Sequence, residues 1–444
     1  MFNNSNLPDH EIEWESIYSF VKENYLLNRT IVSKDISHLI NNLEKHFDIS
    51  IYRHKYNTGE DHGTWIVPQS WNVIKAFIKD SNNNIIASYA EHPLFVAPYS
   101  ASIDIRMTKN NLKEYVLVSD DQPNAFSYDY RIAFDPYLAN KKWGITIPKE
   151  RWEKINNNEI CHVYIETEVF DDEMIIGEVT YKGDSKDTIV FLSDYCHPGQ
   201  INDSFSGLVM FMDFMNYLKN SKIKTHYTYT LLILPETIGS AIYLASNSQE
   251  DKNLIGAIFS DNVSYGAKWY IKNTRSSNSY MDMIAKECTY KFTNLTLGSF
   301  YSLVGNDEHI FDSPQVNIPS LSIQKYNYKE YHTSNDNLDL LKKDNLQTAF
   351  EILKEMVRIL ELDQIYEFAH NVPFHMSRYH LFADFDHEKE RYFFNKHVIN
   401  AINGKNSVLE ISIKLNVPFD PVNDYILKMY ENKLLTKLEK KINF

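Results

Sequence analysis

The order of hydrophobic runs predicts an α/β protein whose mixed, largely parallel sheet lies between helices. A β-rich insertion precedes most of that sheet, and a C-terminal module that resembles a winged helix-turn-helix follows it. Three observations carry this expectation. From about residue 174 to 364, strand-sized apolar runs alternate with helical patterns, as in a sheet covered on both faces. Between about residues 63 and 168, short runs are separated by Asn, Asp, Pro and Gly, the punctuation of strands and turns. Beyond about Phe374 the pattern reads helix, short helix, turn with Pro418, helix and short ribbon. A chain of 444 residues exceeds one ordinary core. The expected segments are 1–60, N-terminal helices joining the core; 61–172, the inserted β-rich domain; 173–370, the α/β core; and 371–444, the winged helix.

In chain order, Ile12, Trp14, Ile17, Phe20 and Val21 share one helical face, and the Leu39–Leu43 region offers a second, so two N-terminal helices are expected. The runs TWIVP, KAFIKD, NIIASYA, LFVAPYS, WGITIP and CHVYIETEVF make the β-rich segment, with a turn at Asp80–Asn84. Thr188–Tyr195, Tyr229–Pro235 and Leu254–Asp261 read as buried strands. Ser206–Asn220, SAIYLASN and Asn345–Gln364 read as helices.

Bulk properties narrow the function. The formal charge of −14 argues against nucleic acid as a partner. The locally basic stretch Lys428–Lys441 is short and interleaved with acids, and the candidate recognition helix, roughly Pro421–Asn432, carries only Lys428 as a clear phosphate contact. The module therefore reads as a packing or oligomerisation unit, and a homo-oligomer is compatible with it. Cys161, Cys196 and Cys288 form no disulfide framework and no paired CxxC ribbon. The polar, acidic start lacks a basic and an apolar region, and the apolar stretches are strand-sized, so no membrane partner and a cytoplasmic location are expected.

Four polar clusters follow predicted strands or precede a helix, where open α/β sheets bind ligands: SDYCHPGQINDSFSG, PETIGS, SDN and YHTSNDNLD. His197 and Asp203 lie six residues apart on a loop that opens a helix, so imidazole and carboxylate can meet at one ion. The competing reading is a helix cap by Asn202 or Asp203 with an incidental histidine. Glu236 follows a buried strand and is either charge at a helix N-terminus or an acid/base group. His332 is either a ligand or a solvated turn residue, and Asp261 either a ligand or a turn cap. Asp307, Glu308 and His309 form a substrate-facing loop or a solvated turn.

The order and spacing of GTWIVPQSW, HPLFVAPYS, KKWGITIP, CHPGQINDSFSG, PETIGSAIYL, GNDEHIFDSPQVNIP and YHTSNDNLD resemble the bacterial aminopeptidase-like proteins. These have an inserted β-rich domain and a C-terminal winged helix. Their core is similar to co-catalytic zinc aminopeptidases of the leucyl aminopeptidase and glutamate carboxypeptidase type, a hydrolase-like zinc-peptidase fold. The resemblance implies His197 as ligand to one metal, Asp203 as the bridging carboxylate, His332 as ligand to the other, and Glu236 as general base. It makes Asp261 the positional match for the remaining carboxylate ligand. The relatives carry two consecutive glutamates, whereas this chain has Glu236–Thr237. A hydroxyl brings no charge to a metal. One zinc held by His197, Asp203 and His332 then gives three protein ligands and an open position, with two ions as the alternative. An alternative alignment makes Glu236 a ligand.

The expected activity is metal-assisted hydrolysis of an amide in a small-molecule or peptide substrate, with Asp307, Glu308 and His309 orienting it. Two other readings stand beside it. One is removal of an acyl or aminoacyl group from a biosynthetic intermediate such as a surface sugar or peptide-like metabolite. The other is a degenerate, non-catalytic scaffold or regulator acting through the winged helix.

Overall fold

The structure is a computed structural model that describes residues 7–130, 142–246 and 252–439. The first six residues, Lys141 of the KKWGITIP motif, Asn247 of the SAIYLASN run and the chain end from 440 onward lie outside the described residues.

One eight-stranded sheet forms the core. Its strands are β1 (Tyr52–Asn57), β2 (Glu173–Tyr181), β3 (Asp187–Asp194), β4 (Thr228–Leu234), β5 (Asn253–Ser260), β6 (Lys268–Lys272), β7 (Leu295–Gly298) and β8 (Ser320–Tyr326). The spatial order is β1-β2-β4-β3-β5-β8-β6-β7. The central strands β4, β3, β5 and β8 are parallel. Antiparallel pairings join β1 to β2, β2 to β4 and β8 to β6. The sheet is therefore more mixed than the repeated strand–helix rhythm suggests. The strands β1, β2, β6, β7 and β8 were not individually legible in the sequence, because each is short or partly polar.

Alternation along the central strands feeds two layers. Ile189 and Phe191 of β3, with Tyr229, Leu231 and Ile233 of β4, face the larger core cluster. That cluster is covered by helices α1 (Trp14–Asn24), α2 (Asp35–Phe47), α3 (Phe205–Ser221), α5 (Tyr280–Lys291) and α7 (Lys343–Leu362). Val190, Leu192, Leu232 and Leu234 face the opposite layer, packed against α4 (Ile238–Ala245) and α6 (Asp307–Phe311). Both faces are dry, which is why these strands read as continuous apolar runs. The two N-terminal helices form as the periodicity predicts, with Ile17, Phe20, Val21, Leu39, Ile40 and Leu43 buried.

Between β1 and β2 the chain builds a second core. Its antiparallel sheet orders Ile85–Ser88, Ser70–Lys79, Ile160–Phe170 and Ile103–Thr108. The Asp80–Asn84 turn closes because Asp80 Oδ1 accepts from the amides of Asn82 (2.9 Å) and Asn84 (2.8 Å). The run LFVAPYS, expected as a strand, is instead a buried 3₁₀ turn at Pro93–Phe95 followed by irregular chain. Pro93 and Pro98 remove the amides a ladder would need.

The C-terminal helices α8 (Lys389–Ala401), α9 (Val408–Leu415) and α10 (Phe419–Glu431) share the larger core rather than forming their own. A ribbon of Tyr366–Phe368 with Leu435–Lys437 closes the module. Asp363 joins it to the core, accepting from the Leu409 amide (2.8 Å) and the Tyr280 hydroxyl (2.6 Å). Among the described residues, no helix is long and apolar enough to cross a membrane.

Glu287 of α5 makes a second junction, accepting the Phe419 amide through Oε1 at 2.6 Å while its buried Oε2 finds no partner. Burial pushes this carboxyl up to about 7, against the pull of that amide. With the folded value above that of an unfolded glutamate, the native state binds the extra proton. This stabilising contribution is complete below about pH 4.5 and is lost as pH rises through about 7. Glu287→Gln keeps the acceptor and removes the titration. We expect equal stability of variant and wild type near pH 4.5. At pH 8 the variant should be more stable by on the order of 1–2 kcal/mol, allowing for solvent screening. Denaturant midpoints across that range check this.

Candidate metal centre

The parallel strands β3, β4, β5 and β8 end on the same edge, and the chain leaving each one carries a chemically active side chain. Asp194 ends β3, and His197 and Asp203 follow on the loop to α3. Glu236 leaves β4, Asp261 leaves β5, and His332 lies on the loop after β8.

His197, Asp203 and His332 offer ligand atoms that all lie within 4.8 Å of one another. The two imidazole rings are 5.7 Å apart and nearly parallel, at 25°. His332 Nε2 faces Asp203 Oδ2 at 3.2 Å, and both atoms are buried with no partner other than each other. His197 Nδ1 is 3.8 Å from Asp203 Oδ1, and its Nε2 is 3.6 Å from Glu236 Oε2. Two nitrogens and a carboxylate with converging lone pairs fit a divalent zinc ion. The capping alternative for this loop does not hold. The N-cap of α3 is Ser204, which makes no side-chain cap bond, and Asp203 points into the cluster.

The surrounding charge agrees with a cation. Burial pushes the Glu236 carboxyl well above the usual carboxylate range; Asp194, Asp307 and Asp203 add to this, and His197 opposes it. Burial likewise raises Asp261, with Asp203 contributing. His197 resists its own burial because Asp203 and Asp194 hold its proton.

Asp261 is not in the ligand cluster. Its Oδ1 accepts from the Asn262 amide, and its Oδ2 accepts from Asn306 Nδ2 at 2.9 Å. Asp307, Glu308 and His309 share no substrate-facing surface. Asp307 is fully buried and accepts the Thr237 amide at 2.9 Å, propping the turn that carries Glu236. Glu308 forms a wholly buried ion pair with Lys272. His309 stacks on Phe300, with ring centroids 4.1 Å apart. The acidic run DEH therefore turns inward as the short helix α6, which residue type alone does not reveal.

Several residues that sequence reasoning did not single out hold the candidate ligands. Asp194 Oδ1 lies 3.2 Å from His197 Nδ1, the kind of contact that orients an imidazole for ligation. Arg29, buried between α1 and α2, donates to the carbonyls of Tyr195 (2.7 Å), His197 and Gln200 (2.7 Å), and its guanidinium lies 3.8 Å over the Phe205 ring. Asp336 accepts the amides of Ile201 (3.2 Å), Asn202 (2.7 Å) and Asp203 (3.1 Å), plus the Tyr328 hydroxyl. Asp194 and Asp336 lie within motifs already noted, so proximity to His197 and His332 was the available signal. Arg29 offered none.

Backbone geometry and packing are constrained too. Thr237 and His332 adopt positive φ, 66° and 57°, conformations that cost roughly 1–3 kcal/mol and persist only where surroundings enforce them. A Cβ on Gly207 would lie 2.0 Å from the Ser260 carbonyl oxygen, so only glycine lets α3 start against the end of β5.

Asp336→Asn tests the loop clamp. The amide nitrogen must face at least one backbone N–H, which costs about 1–3 kcal/mol. We expect reduced thermal stability and weaker zinc retention together, measured by unfolding and metal analysis on the same sample.

Known proteins place this architecture. The chain is 26% identical over 437 residues to a Clostridium acetobutylicum protein whose name joins polysaccharide biosynthesis to an aminopeptidase-like domain, covering 94% of this chain and 95% of that one. A crystal structure from the same organism, named as that of a peptidase, superposes with a TM-score of 0.82 at 24% identity and 96% coverage of both chains. BSAP, a zinc aminopeptidase from Bacillus subtilis, superposes at 0.54 with 14% identity, covering 80% of this chain and 96% of that one. These similarities establish a bacterial aminopeptidase-like fold. A family model described as "Domain of unknown function (DUF4910)" matches residues 18–363, and the chain belongs to that family.

Proposed function

We propose that the protein is a zinc-dependent hydrolase of amide bonds, with His197, Asp203 and His332 holding the ion and Glu236 acting as general base. The observation that carries this reading is the convergence of two imidazoles and one carboxylate, whose buried ligand atoms meet one another, beside the half-buried Glu236. When bound, zinc polarises a carbonyl and lowers the pKa of water toward ~7.

The remaining chemistry belongs to the chain. Asp194 holds the His197 ring in one orientation. Asp336 and Arg29 fix the loop between His197 and Asp203 from opposite sides. Glu236 takes a proton from the water that attacks the amide carbon and delivers it to the departing amine. Burial raises the proton affinity of its carboxylate, while a cation bound beside it would keep it ionised and able to accept that proton. The resemblance read from the sequence would put a second glutamate at Thr237, whose amide is here committed to Asp307. One ion is therefore the better supported stoichiometry.

Two substrate classes follow from two observations. The aminopeptidase-like fold favours an aminoacyl amide or peptide. The name of the Clostridium relative favours an acylated amino sugar or a related intermediate. Parallel assays with aminoacyl anilides and N-acyl amino sugars decide between them.

His197→Ala and Asp203→Asn should each lose most bound zinc; full metal content in either would remove the ligand assignment. Glu236→Gln should retain zinc while losing about 10²–10⁴-fold in kcat. Chelation should lower Tm, because an ion present at a hundred times its Kd contributes about 2.7 kcal/mol.

A further inference from the structure

A backbone seam joins the β-rich domain to the catalytic edge of the core. The Phe126 amide donates to Ser334 Oγ at 3.0 Å, and the Ser334 amide donates to the Phe126 carbonyl at 2.8 Å. The Tyr128 amide donates to the His332 carbonyl at 2.8 Å, and Ser127 and Thr333 form an antiparallel bridge. A segment of the inserted domain is thus laid in register on the loop that carries a ligand. Phe126 remains with its own domain, against His92 and Phe95. Tyr128 reaches over the metal centre.

Its ring centroid lies 5.3 Å from that of His197 and 5.2 Å from that of His332, edge-on to the latter at 79°. The side chain is buried, with the residue 8% exposed. The rings of His197 and His332 pack against it, and the charges of Cys196, Glu236 and Asp203 lie near enough to act on its phenol. Among the described residues, none hydrogen-bonds its hydroxyl. An apolar spacer here would need no hydroxyl. The hydroxyl is not sealed from solvent, so a substrate oxygen or water can accept from it.

We propose that Tyr128, supplied by the β-rich domain, is a catalytic residue whose hydroxyl donates a hydrogen bond to the carbonyl oxygen of the amide substrate. The inference rests on the hydrolase reading above. As water adds to the carbonyl carbon, the C=O π pair moves onto that oxygen, and the bond from Tyr128 strengthens with its charge. The proton of the water passes to Glu236. When the C–N bond breaks, the oxygen pair re-forms the carbonyl, Glu236 returns the proton to the amine, and the phenol keeps its own proton throughout. The inserted domain is then part of the active site, and its placement sets how much room the acyl side has.

The test compares zinc-loaded wild type with Tyr128→Phe, which keeps the ring and its packing. Two readouts are used: calorimetric affinity for acetohydroxamate, whose carbonyl mimics the substrate acceptor, and kcat and KM on leucine p-nitroanilide and an N-acetyl amino sugar. With zinc content and Tm unchanged, we expect about a tenfold loss of hydroxamate affinity. We also expect a 10²–10³-fold loss of kcat with KM little altered. Equal hydroxamate affinity, or an unchanged kcat, overturns the role of Tyr128. If wild type turns over neither substrate while Tyr128→Phe still weakens hydroxamate binding, the hydrolase reading fails and the donor role stands.

Discussion

The candidate metal centre depends on one carboxylate that lies outside the His197–Asp203–His332 cluster. Asp336 gathers the amides of Ile201, Asn202 and Asp203 and the hydroxyl of Tyr328. A loop between a strand and a helix has no ladder to fix it, so its amides must find acceptors elsewhere. Here the acceptor comes from the segment four residues beyond His332. The same contact therefore orders the Asp203 loop and ties it to the segment bearing the other histidine. Arg29 completes the grip by satisfying the carbonyls of Tyr195, His197 and Gln200 from the N-terminal segment. Donors and acceptors of one loop are held by two buried charges of opposite sign, and neither is free to leave without exposing backbone groups.

This arrangement explains why acidic groups accumulate without solvent. Asp194, Asp203, Glu236, Asp261 and Asp307 are brought together by strand topology, and burial pushes the carboxyls of Glu236, Asp261 and Asp307 above the usual range. Some of that charge is neutralised internally, as in the Lys272–Glu308 pair. Asp194, Asp203 and Glu236 face His197, and Asp203 also faces His332. A site that concentrates negative charge around two imidazoles has the electrostatic character of a cation site, and the facing atoms of Asp203 and His332 mark its centre.

The β-rich domain is more than an appendage. Its HPLFVAPYS segment packs on the loop between His197 and Asp203, where His92 lies against Gly199, and its chain from Phe126 to Tyr128 pairs with the His332 loop. Gly199 adopts a φ of +75°, and any side chain there would collide with His92. The motif is thus explained by contact between domains rather than by chemistry of its own.

The residues alone carried the α/β rhythm, the two N-terminal helices and the clustering of His197, Asp203, Glu236 and His332 near strand ends. Those signals are local: apolar period, turn residues and chain order. Local signals did not reveal the short outer strands, the inward turn of Asp307 and Glu308, or the turn taken by LFVAPYS. They also could not name Arg29, Asp336 or Tyr128 as partners of the site. Such roles depend on contacts between residues more than a hundred positions apart, and only the packed sheet brings those together. An arginine between two helices or a tyrosine in an irregular run carries no periodicity that marks it, so its partners are decided by tertiary structure.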